Sequence, residues 1–241
     1  MRLLNVRTRE LEEFFEKRIP KYAILSHTWG EDEVTFREFD FVVRPRRTSL
    51  KIDGCCAQAL KGGFEYVWID TCCIDKSSSA ELSEAVNSMF AWYKRAEICY
   101  VYLSDVSSHE LDPINEHSDF KKCRWFTRGW TLQELLAPHV PTFYNTSWHP
   151  LGFLDKNPKR GLRMRLGYFD LPSYLGRITK IPPEIISGEK NLTTPSIAMR
   201  MSWASTRETT RVEDIAYCLL GIFDIAMPMI YGEGRKAFMR L

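Results

Sequence analysis

Two apolar runs joined by one helical repeat constrain this chain more than any other feature. Residues 22–26, Tyr-Ala-Ile-Leu-Ser, form a compact apolar stretch that runs into polar Ser26, His27 and Thr28. Residues 64–70, Phe-Glu-Tyr-Val-Trp-Ile-Asp, are mostly apolar up to a terminal acid, Asp70. Between them Leu50, Ile52, Cys56 and Leu60 recur at helical spacing, and Gly62-Gly63 supplies a stop. A strand, a helix and a strand over this distance make a βαβ unit, so the two strands are predicted to be parallel and buried. Both end in polar residues at the same sheet edge, where ligands of open α/β sheets collect. Ser26, His27, Trp29 and Asp70 are therefore site candidates. For any one of them, packing or loop anchoring is the competing explanation.

The pattern continues. Residues 81–96 carry Leu82, Ala85, Val86, Met89, Phe90 and Tyr93 on one helical face, and residues 98–103 read as a third strand. Residues 142–144 read as a fourth. Residues 3–6 suggest a short edge strand, and residues 11–15 a connector. This predicts an α/β core over 1–150 with helices on both faces of a parallel central sheet. Residues 151–241 differ in kind: loop-rich to about 195, with a basic run over 156–165 read as a solvated face, then helical over 196–204 and 210–223. Thr210-Arg-Val-Glu213 has the form of a capping box. The apolar faces of these helices would be exposed unless they pack back on the core, so the two parts are expected to form one domain. A turn at Ile230-Tyr-Gly-Glu-Gly234 leads to a last short helix that runs to Leu241 with no stop signal, which predicts a longer parent chain.

Composition removes several classes of function. A formal net charge of +2 lacks the basic excess of a phosphate-tracking surface, so nucleic acid is not an expected partner. No apolar run approaches the ~20 residues of a membrane span, and the first residues turn polar too soon for a secretion signal. The seven cysteines include the adjacent pairs Cys55-Cys56 and Cys72-Cys73 but no Cys-x-x-Cys. They predict reduced, buried thiols in a cytoplasmic protein, and neither they nor the histidines have the spacing of a metal site.

The chemistry is expected in residues 124–138, within which residues 128–137 have types that suit a short helix stopped by Pro138. Leu132, Leu135 and Leu136 form an apolar stripe, whereas Trp130 and Glu134, four apart, share another face with Arg128 just upstream. An acid one turn from an indole is more than packing requires. The alternative is that Thr131-Leu-Gln-Glu134 is a capping box, with Glu134 only closing off the helix start.

Three segments, Tyr22-Ala-Ile-Leu-Ser-His-Thr-Trp-Gly30, Val67-Trp-Ile-Asp-Thr-Cys-Cys-Ile-Asp-Lys76 and Arg128-Gly-Trp-Thr-Leu-Gln-Glu-Leu-Leu-Ala-Pro138, resemble the fungal heterokaryon-incompatibility (HET) domain. Met201-Ser-Trp-Ala204 and Arg211-Val-Glu-Asp-Ile-Ala-Tyr-Cys-Leu-Leu-Gly-Ile-Phe223 resemble that family's later blocks. The resemblance implies a trigger of programmed cell death in non-self recognition. It also implies self-association and a nucleotide-binding, repeat-bearing receptor in cis or in trans.

A more distant resemblance, to TIR domains, rests on the strand ends at Ser26 and Asp70 and on the Trp130-x-x-x-Glu134-Leu segment. It implies a TIR-like three-layer fold with a C-terminal helical extension. Several TIR domains cleave NAD through a glutamate in the matching segment, so the resemblance implies an NAD(P) glycohydrolase with Glu134 as the catalytic acid. No cofactor is then needed, NAD being the substrate. His27-Thr-Trp29 replaces the usual TIR loop, and the last third of the chain has no TIR counterpart.

Nicotinamide leaves NAD as a neutral base, so no strong general acid is required; one carboxylate near the ribose can stabilise the oxocarbenium character that develops. Trp29 or Trp130 could stack on a ring of the ligand, and Arg128 or Lys76 could meet the pyrophosphate. Ser26, His27, Asp70 and Asp75 complete the predicted cleft. The competing reading is a non-enzymatic adaptor that signals by homotypic assembly, which has no need of an ionised acid in a pocket.

Overall fold

The computed structural model describes residues 1–15, 18–40, 49–107, 109, 112–113, 118–156 and 170–241. Its centre is β3 (Tyr22–His27), buried along its whole length, with Ala23, Ile24 and Leu25 fully excluded from water. Each large aliphatic side chain buried in this way contributes about 1.5–3 kcal/mol. β3 pairs in parallel with β4 (Tyr66–Trp68) on one side and with β5 (Ile98–Tyr102) on the other, and β5 pairs in parallel with β6 (Pro141–Tyr144). Three antiparallel strands complete a seven-stranded mixed sheet: β1 (Arg2–Asn5) beside β4, β2 (Leu11–Glu13) beside β1, and β7 (Pro150–Phe153) beside β6, in the order β2-β1-β4-β3-β5-β6-β7.

The architecture is α/β with a four-stranded parallel centre. Residues 11–15 are not a mere connector, because β2 pairs there and moves β1 from the edge to the interior. β7 was hidden by Pro150 and Gly152, which break the apolar alternation from which a strand is read.

After a short α1 (Phe36–Asp40), the helices follow from their caps and stripes. Ser49 accepts from the Ile52 N–H at 3.3 Å and starts α2 (Leu50–Lys61), whose Ile52, Cys55, Cys56 and Ala59 are buried at i, i+3, i+4, i+7. Ser78 does the same for α4 (Ser79–Arg95), through the Glu81 N–H. The chain passes from β3 through α2 to β4. It then crosses back over β3 through α3 (Asp70–Cys73) and α4 to β5, and continues outward through α5 (Thr131–Leu136) to β6. Right-handed crossovers put α2 on one face and α4 and α5 on the other. Trp148, from the β6–β7 hairpin, fits α2 at Gly54 and donates from Nε1 to Leu50 O at 3.3 Å. All seven cysteines are buried and unpaired.

The second half is less irregular than its composition suggests. α6 (Leu171–Thr179), capped by Asp170 at the Ser173 N–H, and α7 (Pro183–Ile186) lie within the supposed loop region. Lys156 is not on a solvated face. Its Nζ is buried and donates to Leu135 O at 2.5 Å and Leu136 O at 3.1 Å, capping the end of α5, and burial pushes its ammonium down to about 7. The rest of the basic run, 157–165, lies outside the described residues.

Beyond α8 (Ile197–Ser202), residues 210–223 are not one helix but two short ones, α9 (Asp214–Tyr217) and α10 (Leu220–Phe223). The capping box does not form, because its members have other partners. Thr210 Oγ1 accepts from Arg128 at 3.0 Å, and Glu213 Oε1 accepts from the Gly232 and Gly234 N–H groups at 2.8 and 3.0 Å. α10 packs on α4, and the Asn87 side chain exchanges two hydrogen bonds with the Met227 backbone, at 3.0 and 3.1 Å. A Cβ on Gly221 would lie 2.1 Å from Phe90 Cβ and 2.6 Å from Gln133 Oε1. Gly221→Ala should therefore destabilise the protein by about 1–3 kcal/mol, read as a lowered midpoint in urea, because neither the α4 side chain's Cβ nor the buried amide can retreat freely.

Candidate functional site

Successive residues of a strand face opposite sides, and this divides the predicted site in two. Ser26 turns toward α5 and His27 away from it.

On the Ser26 side lies a closed polar cluster. Ser26 Oγ accepts from Trp125 Nε1 at 2.7 Å and donates to Glu134 Oε2. Tyr93, from α4, donates to Leu25 O at 2.8 Å and also bonds to Glu134. Glu134 is only 7% exposed. Burial raises its carboxyl from an ordinary 4.5 to about 8, and the nearby Asp70 charge adds to this; the Ser26 and Tyr93 hydrogen bonds and the Arg207 charge oppose it. The capping alternative is overturned: Trp130 sits at the N-cap with no side-chain cap bond, while Thr131 donates to Trp125 O at 2.5 Å or Arg128 O at 2.8 Å.

On the His27 side lies a chain of alternating charge at the surface. His27 Nε2 donates to Asp70 Oδ1 at 3.0 Å, and Trp29 Nε1 donates to Asp70 Oδ2 at 2.8 Å. Lys76 Nζ is 3.7 Å from the same carboxylate and 3.4 Å from the centre of the Trp29 ring. Burial would raise Asp70, but the Lys76 charge and the bonds from His27 and Trp29 outweigh it and hold the carboxyl well below the usual carboxylate range. Lys51, from α2, lies 3.4 Å from His27 Nδ1, donates to Thr28 O at 3.0 Å and pairs with Glu33. Thr28 and Ser104 hydroxyls meet at 3.2 Å and join the loops that leave β3 and β5. Those two strands are where the direction of winding reverses, the position of ligand crevices in doubly wound sheets.

Three predicted residues lie elsewhere. Asp75 accepts from Ser77 in its own turn at 2.6 Å. Arg128 reaches Thr210 and Trp130 Nε1 reaches Asp214 at 3.2 Å, so both face the C-terminal segment instead of the strand ends. Trp125, Tyr93, Glu33, Lys51 and Arg207 complete the two clusters. Of these only Trp125 carried a local signal, its place in the segment leading into α5. Among the described residues no group of three or more His, Cys, Asp or Glu is disposed to hold a metal ion, and no helix is long and apolar enough to cross a membrane.

Comparison with known proteins identifies this framework. Residues 22–119, which contain both β3 and the Asp70 turn, match the family "Heterokaryon incompatibility protein (HET)". Over 231 residues, 93% of the chain, the sequence is 46% identical to the vegetative incompatibility protein HET-E-1 of Podospora anserina. The chain carries a heterokaryon-incompatibility domain. It spans 16% of the length of that relative. The relative's match extends past residues 22–119 to most of the chain, so it takes in α5 and the C-terminal segment as well as the strands of the HET domain. No solved structure matches the chain.

Proposed function

We propose that this HET domain is a cell-death effector of fungal vegetative incompatibility and that it acts, once clustered, by cleaving NAD between nicotinamide and ribose. The observation that supports the reading is Glu134: a buried carboxyl bonded to Ser26 at the C-terminal end of the central strand, where among the described residues no direct ion pair offsets its desolvation. Packing alone favours an apolar side chain there. The parallel order β4-β3-β5-β6, which is doubly wound, supports the TIR-like comparison.

In this mechanism the glycosidic bond pair passes to the pyridinium nitrogen and neutral nicotinamide leaves. Ionised Glu134 stabilises the ribosyl cation, and water adds to it with loss of a proton to give ADP-ribose. The Trp29–Asp70–Lys76 group presents an indole and an ammonium to the rest of the dinucleotide. Lys76 is itself pushed down by burial, a tendency that Asp70 opposes.

Concentrated protein incubated with NAD should release nicotinamide. Because the reactive form is the carboxylate, kcat/KM should rise with pH along a limb centred near 8. No release from clustered protein at pH 9 would remove the enzymatic reading.

The adaptor reading draws on a different observation. Ile215, Phe238 and Met239 are exposed on the C-terminal segment, surface suited to assembly without chemistry. Under it Glu134 is only a core acid, and its charge is irrelevant to killing.

A further inference from the structure

Residues 207–214 form a clamp on the segment that leads into α5. Glu208 N donates to Thr127 O at 2.7 Å and Gly129 N donates to Glu208 O at 2.9 Å, a two-bond bridge between distant parts of the chain. A Cβ on Gly129 would stand 2.6 Å from Thr209 Cγ2, so only glycine permits this approach. Thr210 and Asp214 hold Arg128 and Trp130 on either side of it. At the centre, Arg207 Nη1 donates to Arg128 O at 2.7 Å and Thr131 Oγ1 at 2.9 Å, and its Nε donates to Trp203 O at 3.3 Å. Its Nη2 is buried with no hydrogen-bond acceptor. A guanidinium with an unused, desolvated fork arm is worth its burial when a carboxylate lies within reach of its field.

The bonds continue inward. Thr131 Oγ1 bonds to Trp125 O, Trp125 Nε1 to Ser26, and Ser26 to Glu134. The clamp thus ends on the groups that orient the carboxyl. The two ends also interact through space: Arg207 favours the ionised form of Glu134, and Glu134 in turn opposes the burial that draws the Arg207 guanidinium down to about 10.

We propose that Arg207 is a positioning residue, which fixes the first turn of α5 from the C-terminal segment and so sets both the orientation and the charge of Glu134. This rests on the reading of Glu134 as the reactive acid for its catalytic consequence, but not for its electrostatic one. Among the described residues, Ser26 from β3 and Tyr93 from α4 bond to the Glu134 carboxyl, and Cys99 from β5, Asp70 from α3 and Arg207 act on it through space. Arg207 is the one cation among them. Removing it therefore moves the titration in one direction, upward.

The test uses the full chain with Arg207→Met and Arg207→Lys, each with and without Glu134→Gln. Melting temperatures from pH 5 to 9.5 are compared within each Glu/Gln pair, and the pH dependence of that difference reports the titration of Glu134. Nicotinamide release is measured in parallel. Arg207→Met should raise the Glu134 midpoint by about one pH unit, through loss of the nearby charge. It should also lower release at pH 7.5 at least tenfold and displace the pH profile by the same amount. Arg207→Lys, which keeps the charge but not the fork, should recover part of both.

A wild-type midpoint in Arg207→Met overturns the proposal, since a purely structural arginine would lower melting without moving the titration. Should Arg207→Met fail to fold, Arg207→Gln decides: its amide can still donate to Arg128 O but carries no charge, so an unmoved midpoint there overturns the proposal too. If no variant, wild type included, releases nicotinamide, the NAD reading falls while the melting series still decides the role of Arg207.

Discussion

Glu134→Gln should abolish nicotinamide release and, in the same protein, raise the melting temperature at alkaline pH. The two effects have one origin. The Glu134 carboxyl titrates at about 8 in the folded protein and near 4.5 when unfolded. Between those values the native state keeps a proton that the unfolded chain has lost, so this group's contribution to stability falls as pH rises through that window. Full ionisation in place would cost up to about 5 kcal/mol. Gln keeps the size of the side chain and can accept from Ser26, but never ionises. Its gain should be near zero at pH 4.5 and approach that limit of about 5 kcal/mol by pH 8.5, or a Tm up to about 10–20 °C higher in a chain of this size.

Activity should move the other way. One aimed charge in a transition state is worth about 3–4 kcal/mol, hence a fall of two to three orders of magnitude in kcat. Stability gained where activity is lost marks a residue kept at a cost to the fold. If Glu134→Gln proved as lethal to cells as wild type at equal abundance, the adaptor reading would replace the enzymatic one.

The parallel centre of the sheet was legible because fully buried strands leave a continuous apolar signal, and 22–26, 66–68 and 98–102 all have it. β2 and β7 were not, because a three-residue strand and a Pro/Gly-containing one are too short or too broken to show a period. The two short helices after Thr210 were misread because Thr210-x-x-Glu213 satisfies a local rule. Local rules fail where distant partners compete for the same atoms, and here Arg128, Gly232 and Gly234 take them.

The site was legible in part, for a related reason. Strand ends announce themselves, so Ser26, His27 and Asp70 could be named, and the indole and ammonium that meet Asp70 follow closely in sequence. The direction of a helical side chain was harder to read. Trp130 and Glu134 share a spacing, yet α5 sits between the sheet and the C-terminal segment, and the two side chains diverge toward those different neighbours. Arg207 carried no signal at all, because its role exists only once residues 207–210 lie alongside 127–131.

The Asp70 cluster supplies a prediction of opposite sign. Asp70 accepts from His27 and Trp29 and faces Lys76, and its carboxyl is held below the ordinary 3.8. A depressed acid contributes stability that is present above the unfolded value and lost as pH falls through the folded one. Asp70→Asn keeps the shape, removes the charge beside Lys76, and can no longer accept from both donors at once. At pH 7 it should cost roughly 2 kcal/mol, or about 4–8 °C in Tm, less than for a fully buried pair because Asp70 and Lys76 are partly exposed. That loss should shrink steadily below pH 4. Trp29 is nearly half exposed, with Asp70 and Lys76 as its anchors. If its ring stacks on the dinucleotide, its release should raise KM about tenfold and leave kcat largely intact, since the group binds substrate and transition state alike. A variant that lost kcat at unchanged KM would instead put Asp70 beside Glu134 in the chemistry, where the coupling between the two carboxyls would then have to act.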